Sequence, residues 1–185
     1  MAIRKIARLG HPILRQIAEP VPRERIRSVA VQRLIADLLD TVEDADGAGL
    51  AAPQIHEPLR VVVLRLDDEA GMRVWINPEI TVEGDEQAGM FEGCLSVPGL
   101  RGYVSRPAAI EVKAWNERAE RVHLRLRGFP AIVAQHECDH LDGLLYVDKV
   151  EARTLTYLEE HRKYGPLSEE DDDEPGDEGA EGGEE

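Results

Sequence analysis

Cysteine is scarce in this chain: 185 residues hold two, Cys94 and Cys138. So low a count argues against a disulfide framework and suits a reducing compartment. Pairing of these two would remove Cys94 as a metal-binding thiolate, so the two uses compete. Also lacking is any apolar run of membrane length; the longest are strand-sized, which argues against a helical span. No apolar stretch follows the basic residues of Met1-Ala2-Ile3-Arg4-Lys5-Ile6. No signal peptide is therefore expected, and the expected compartment is the cytoplasm. Internal repeats are absent as well.

From Ser168 to Glu185 there is no Lys or Arg, whereas eleven residues are acidic. This segment dominates the formal net charge of -15, since only 26 of the 37 acidic residues lie elsewhere, against 22 Lys and Arg. With Gly176, Gly179, Gly182 and Gly183 among its carboxylates it has little apolar area to bury. It is expected to be a disordered tail that aids solubility or meets a protein partner. It would repel phosphates, so direct nucleic-acid binding is not expected. The expected organisation is one domain over 1–165 and an acidic tail over 166–185. A hydrophobic content of 42% is enough for a core.

What is present reads as α+β. From Glu24 to Asp44 the residues Ile26, Val29, Leu34, Ile35, Leu38 and Val42 recur with helical spacing, and Asp46-Gly47 ends the run. A loop of small residues follows, Gly47-Ala48-Gly49-Leu50-Ala51-Ala52-Pro53-Gln54. Strands are expected over Arg60–Leu66 and Val74–Ile80, separated by a turn at 67–71. A hairpin around Asn116-Glu117 joins Ala109–Trp115 to Arg121–Arg127, and Glu92 to Pro98 reads as a further loop-rich stretch. A second helix should run from Pro130, suited to a first turn, to Gly143, and a third from Ala152 to Lys163. The expected fold is antiparallel strands surrounding a central helix.

That second helix carries His136-Glu137-Cys138-Asp139-His140. Histidines at i and i+4 share one helical face, so both imidazoles can meet one ion, with Glu137 beside them within reach of a water. The neighbouring Phe129, Ile132, Val133 and Leu141 suggest a buried helix, where two histidines without partners would be costly. Two histidines leave a catalytic site one protein ligand short. Tyr146, following Gly143, is a poor third ligand. Glu160, on the third helix, would complete an endopeptidase-type site. Cys94, in its glycine-flanked loop, would give a softer Cys/His/His set suited to Fe(II) or Zn(II), or could be a small buried hydrophobe. Periodicity does not choose between them. Cys138 points off the metal face and suits core packing. A closed structural site would instead draw a fourth ligand from His56, His123 or His161.

Three segments together resemble the peptide deformylases: Gly47 to Gln54, Glu92-Gly93-Cys94-Leu95-Ser96, and Gln135-His136-Glu137-Cys138-Asp139-His140-Leu141. Their order and spacing match too, and the resemblance runs from Ile3 to Lys149. It implies a hydrolase that removes the formyl group from N-formylmethionine at the start of new polypeptides. It implies Cys94, His136 and His140 as ligands of one Fe(II), with Zn(II), Ni(II) or Co(II) as substitutes, and water as fourth ligand. Glu137 is implied as acid and base, and the Gln54 side chain and Leu95 backbone N–H as oxyanion donors. Gly47, Gly49, Gly93 and Arg101 are implied to line the substrate, and Glu92 with Arg106 to form a structural ion pair. Ile132 and Val133, one turn before His136, are candidates for the methionine pocket or for plain core. Two departures stand out: Cys138 where many relatives have methionine, and the acidic tail where some end in a basic helix that docks on the ribosome. That docking is therefore not carried over.

Overall fold

The computed structural model describes residues 2–66 and 71–165. The acidic tail lies outside the described residues, as does the turn at 67–71 apart from Gly71. Helix α1 (Val29–Asp44) begins where the Ser28 hydroxyl accepts the Val31 N–H at 3.4 Å. This is later than the Glu24 start expected from sequence: a short 3-10 turn, Arg23–Arg25, precedes it. Val29, counted in the apolar stripe, is 85% exposed, while Val31, Leu34, Ile35, Leu38 and Val42 face inward.

A five-stranded antiparallel sheet follows the order β1-β2-β3-β6-β7, with strands Gly49–Ala51, Val61–Arg65, Met72–Val82, Ala109–Trp115 and Arg121–Arg127. Side chains of β2 alternate between its faces. Val61 and Val63 join the cluster built on α1, whereas Val62 and Leu64 join Trp75, Ile110, Val112, Ala131, Ala134 and Leu141. The sheet thus separates α1 from helix α2 (Phe129–Leu141). Its register slips between Ile76 and Glu79, where Asn77 takes a positive φ and Pro78 cannot donate to the ladder. The Asn77 amide bonds the N–H and carbonyl of Val21, both at 2.8 Å, and so ties the N-terminal segment to the bulge.

The stretch read as loop around Cys94 is instead a long hairpin. Strands β4 (Gln87–Cys94) and β5 (Val97–Pro107) pair from Gln87↔Pro107 to Cys94↔Val97, turning at Leu95 and Ser96. The run Gln-Ala-Gly-Met-Phe-Glu-Gly-Cys has no β-branched residue, which hides β4 from a propensity reading. The small-residue segment is likewise not all loop: it forms β1 and the 3-10 turn Ala52–Ile55. The expected third helix divides into a 3-10 turn (Ala152–Thr154), the short strand β8 (Thr156–Tyr157), which pairs with β5, and helix α3 (Leu158–Tyr164).

Helix α2 is buried around much of its circumference, by Ala131, Ile132, Val133, Ala134, Glu137, Cys138, His140 and Leu141. It ends in a Schellman cap. Gly143 takes φ +73° and donates to the His140 carbonyl at 3.4 Å, while Leu144 donates to that of Asp139 at 2.9 Å. A Cβ on Gly143 would stand 2.9 Å from the Arg15 backbone. Gly143→Ala should therefore cost about 2 kcal/mol or more, from left-handed strain and this clash together. The denaturant midpoint measures it, and a loss of only a few tenths would contradict the account.

Candidate metal centre and active site

Two elements meet at the site. Helix α2 presents His136 and His140 one turn apart, and the end of β4 brings Cys94 against them. The Cys94 sulfur and one nitrogen from each histidine lie within 4.8 Å of one another, with Sγ 3.4 Å from His140 Nε2. A tetrahedral ion with sulfur and nitrogen ligands at about 2.3 and 2.0 Å sets such atoms about 3.4–3.6 Å apart. The donor set therefore fits one divalent ion. Both cysteines are free thiols, and Cys138 is buried away from the cluster. Glu160 is exposed on α3 and takes no part, and His56, His123 and His161 contribute no fourth ligand among the described residues.

Glu92 orients the first histidine. Its Oε2 meets His136 Nδ1 at 2.7 Å, which leaves the other ring nitrogen for the cluster. Arg106 holds Glu92 with two bonds, at 2.5 and 2.9 Å, and reaches Asp139 at 2.8 Å. Burial disfavours the Glu92 charge, but Arg106 and His136 outweigh it and hold the carboxyl below its usual range. Burial likewise opposes charge on His136, yet bonds to Cys94 and Glu92 raise it to about 10. His140 is kept well below its ordinary value by burial and by the charge of His136. Its Nδ1 and the Glu137 Oε2 are buried atoms without a partner among the described residues.

Glu137 lies between the two histidines on the helix, its carboxyl lifted by burial to about 7 against the pull of His136. Gly49 makes room for it: a Cβ there would lie 2.6 Å from Glu137 Cδ. Gln54 is fixed by its own carbonyl, which accepts the Ala51 N–H at 2.7 Å. Its Nε2 then points to Ser96 Oγ at 3.1 Å and to Cys94 Sγ at 3.6 Å. A cavity of about 530 Å³ opens over these groups. Gly47, Gly49, Gln54, Gly93, Cys94, Leu95, Arg101, Ile132, Val133, His136 and Glu137 all line it, whereas His140 lies beneath. Leu95 occupies the β4–β5 turn.

The family model for polypeptide deformylase matches residues 3–155. The chain belongs to the polypeptide deformylase family. These enzymes are metal-dependent hydrolases that remove the formyl group from N-formylmethionine of nascent polypeptides. A peptide deformylase of Leptospira biflexa is 44% identical over 164 residues, spanning 84% of this chain and 92% of that one. A Legionella pneumophila peptide deformylase structure superposes with TM-score 0.74 at 41% identity, covering 81% of this chain and 87% of that one. An Acinetobacter baumannii deformylase described as Met-ala-ser bound gives TM-score 0.76 at 35% identity, covering 80% and 99%.

Several deformylase cleft residues were not anticipated from sequence. Phe129 stands half-exposed at the mouth, Met90 and Phe91 come from β4, and Leu158 and Arg162 from α3. Their placement depends on tertiary packing and carries no local signal. Ser96 was quoted within its segment without a role, yet it is fully buried and receives the Gln54 amide. Ser96→Ala should lower kcat about tenfold with KM little changed, because it removes the acceptor that positions the Gln54 amide over the cavity. In a Gln54→Ala background the same change should add nothing; additive losses in that cycle would detach Ser96 from Gln54.

Proposed function

We propose that Cys94, His136 and His140 hold one Fe(II), and that Glu137 is the acid and base of formyl removal. The observation that carries this is their convergence beside a buried carboxyl oxygen that has no partner among the described residues, at the base of the cavity. One sulfur and two imidazole donors make a soft set that suits Fe(II), with Zn(II), Ni(II) or Co(II) as substitutes. When bound, the ion supplies Lewis acidity, acidifying water and withdrawing charge from the formyl oxygen.

The residues divide the remaining work. Glu137 takes a proton from water as its oxygen attacks the formyl carbon. Charge growing on the formyl oxygen is met by Gln54 Nε2 and the Leu95 N–H. As the carbon–nitrogen bond breaks, Glu137 returns the proton to the leaving amine, so formate and a methionine N-terminus depart. Gly47, Gly49, Gly93 and Arg101 line the peptide, and Ile132 and Val133 offer apolar surface to methionine. Met-Ala-Ser, named with the Acinetobacter baumannii enzyme, has the form of such a product.

In this reading α2 is the central helix around which the strands are arranged, 1–165 is the catalytic domain and 166–185 an appended acidic tail. The substrate is a formyl-Met nascent chain in the cytoplasm. Any ribosome contact would be transient and is not implied by the tail. No helix of the described residues is long and apolar enough to cross a membrane.

Formate release from a formyl-Met tripeptide by anaerobic, Fe(II)-loaded protein tests the reading. Wild type should release formate, and Glu137→Ala should lose roughly 10²–10⁴-fold in rate while keeping its metal. Equal loss of metal and activity would contradict the acid–base role.

A further inference from the structure

Helix α3 lies outside the segment that the family model matches, yet it forms part of the cleft wall. Leu158, His161 and Arg162 stand at i, i+3 and i+4, on one helical face. The His161 ring lies on Phe91 of β4, with centroids 4.6 Å apart and 34° between planes. Leu158 and Arg162 line the cavity itself. Just before the helix, β8 pairs Leu100↔Tyr157 and Arg101↔Thr156. The hairpin therefore holds α3 both by β8 and by His161, and Arg162 is carried to the cleft by an anchored element.

Arg101 shares that cleft from β5. Its guanidinium carbon is 3.4 Å from where a Gly93 Cβ would stand, and Nη1 reaches the Phe91 carbonyl at 3.5 Å. Among the described residues neither Arg101 nor Arg162 pairs with a carboxylate. The acids lining the cleft are placed elsewhere: Glu92 is engaged by Arg106 and His136, Glu137 stands beside the ligands, and Asp46 follows α1. Among the described residues two arginines thus line the cavity without a paired carboxylate.

We infer that Arg162, together with Arg101, selects formyl-methionine peptides that carry an acidic side chain in the residues following methionine. This rests on the deformylase reading. A guanidinium presents paired donors that match a carboxylate, while a lysine at the same place would be repelled. Because Arg162 is exposed, the pair is worth only a few-fold in affinity and is screened by salt.

The test compares kcat/KM for C-terminally amidated formyl-Met-Ala-Glu, formyl-Met-Ala-Ala and formyl-Met-Ala-Lys, using the full chain loaded with Fe(II). At low ionic strength wild type should favour the glutamate over the lysine peptide by about two- to fivefold, and the ratio should shrink in high salt. Arg162→Glu should invert the ratio, a change that loss of packing alone would not produce. A wild-type ratio of one, or a ratio that Arg162→Glu leaves unaltered, would overturn the inference. No turnover of even the alanine peptide would overturn the deformylase reading beneath it.

Discussion

The buried carboxylate of Glu92 is the interaction on which the site depends. It sits near the end of β4 with its side chain 4% exposed, and its partner Arg106, on β5, is 2% exposed. Charges so buried cost several kcal/mol each when unpaired, so the arrangement is tolerated only because its bonds are made. Two arms of Arg106 hold Glu92, the third holds Asp139 of α2, and Lys149 closes the set on Asp139 at 2.6 Å. One network thus locks the β4–β5 hairpin to the helix. The remaining capacity of Glu92 goes to His136 Nδ1, which decides which ring nitrogen faces Cys94. Hairpin position and histidine orientation are set by the same carboxylate.

The opposite wall is fixed by backbone and amide. Strand β1 approaches α2 so closely that Gly49 accommodates no side chain beside Glu137. A few residues on, the Gln54 amide is held at its oxygen by Ala51 and at its nitrogen by Ser96. Glu137, Gln54 and the Cys94, His136 and His140 cluster therefore come from three elements, each positioned by bonds within a buried interior. Such positioning before substrate arrives is what electrostatic catalysis requires. The outer cleft differs: Phe129 and Arg162 are exposed there, where a peptide rather than a reacting carbonyl would be met.

What sequence revealed follows from how local each signal is. The β6–β7 hairpin was legible to the residue, because alternation and the Asn116 turn are both local; Asn116 Oδ1 accepts the N–H groups of Arg118 and Glu120. The histidine pair was legible because one helix carries both. The place of Cys94 beside them was not, since it reaches the histidines only through hairpin pairing. It entered through resemblance rather than spacing. Strand β4 was missed for want of β-branched residues, and the first helix was begun too early because Ile26, buried just after the 3-10 turn and before the helix starts, fits the same periodicity. Arg162 could not be read at all, since its place in the cleft rests on His161 packing against Phe91.

The central claim is that one cysteine and two histidines hold a single catalytic ion beside Glu137. X-ray absorption on zinc-loaded protein tests it most directly. The account predicts one sulfur at about 2.3 Å and two imidazole nitrogens at about 2.0–2.1 Å, with a light atom completing the shell. A shell without sulfur, or with two sulfurs from Cys94 and Cys138 together, would contradict it.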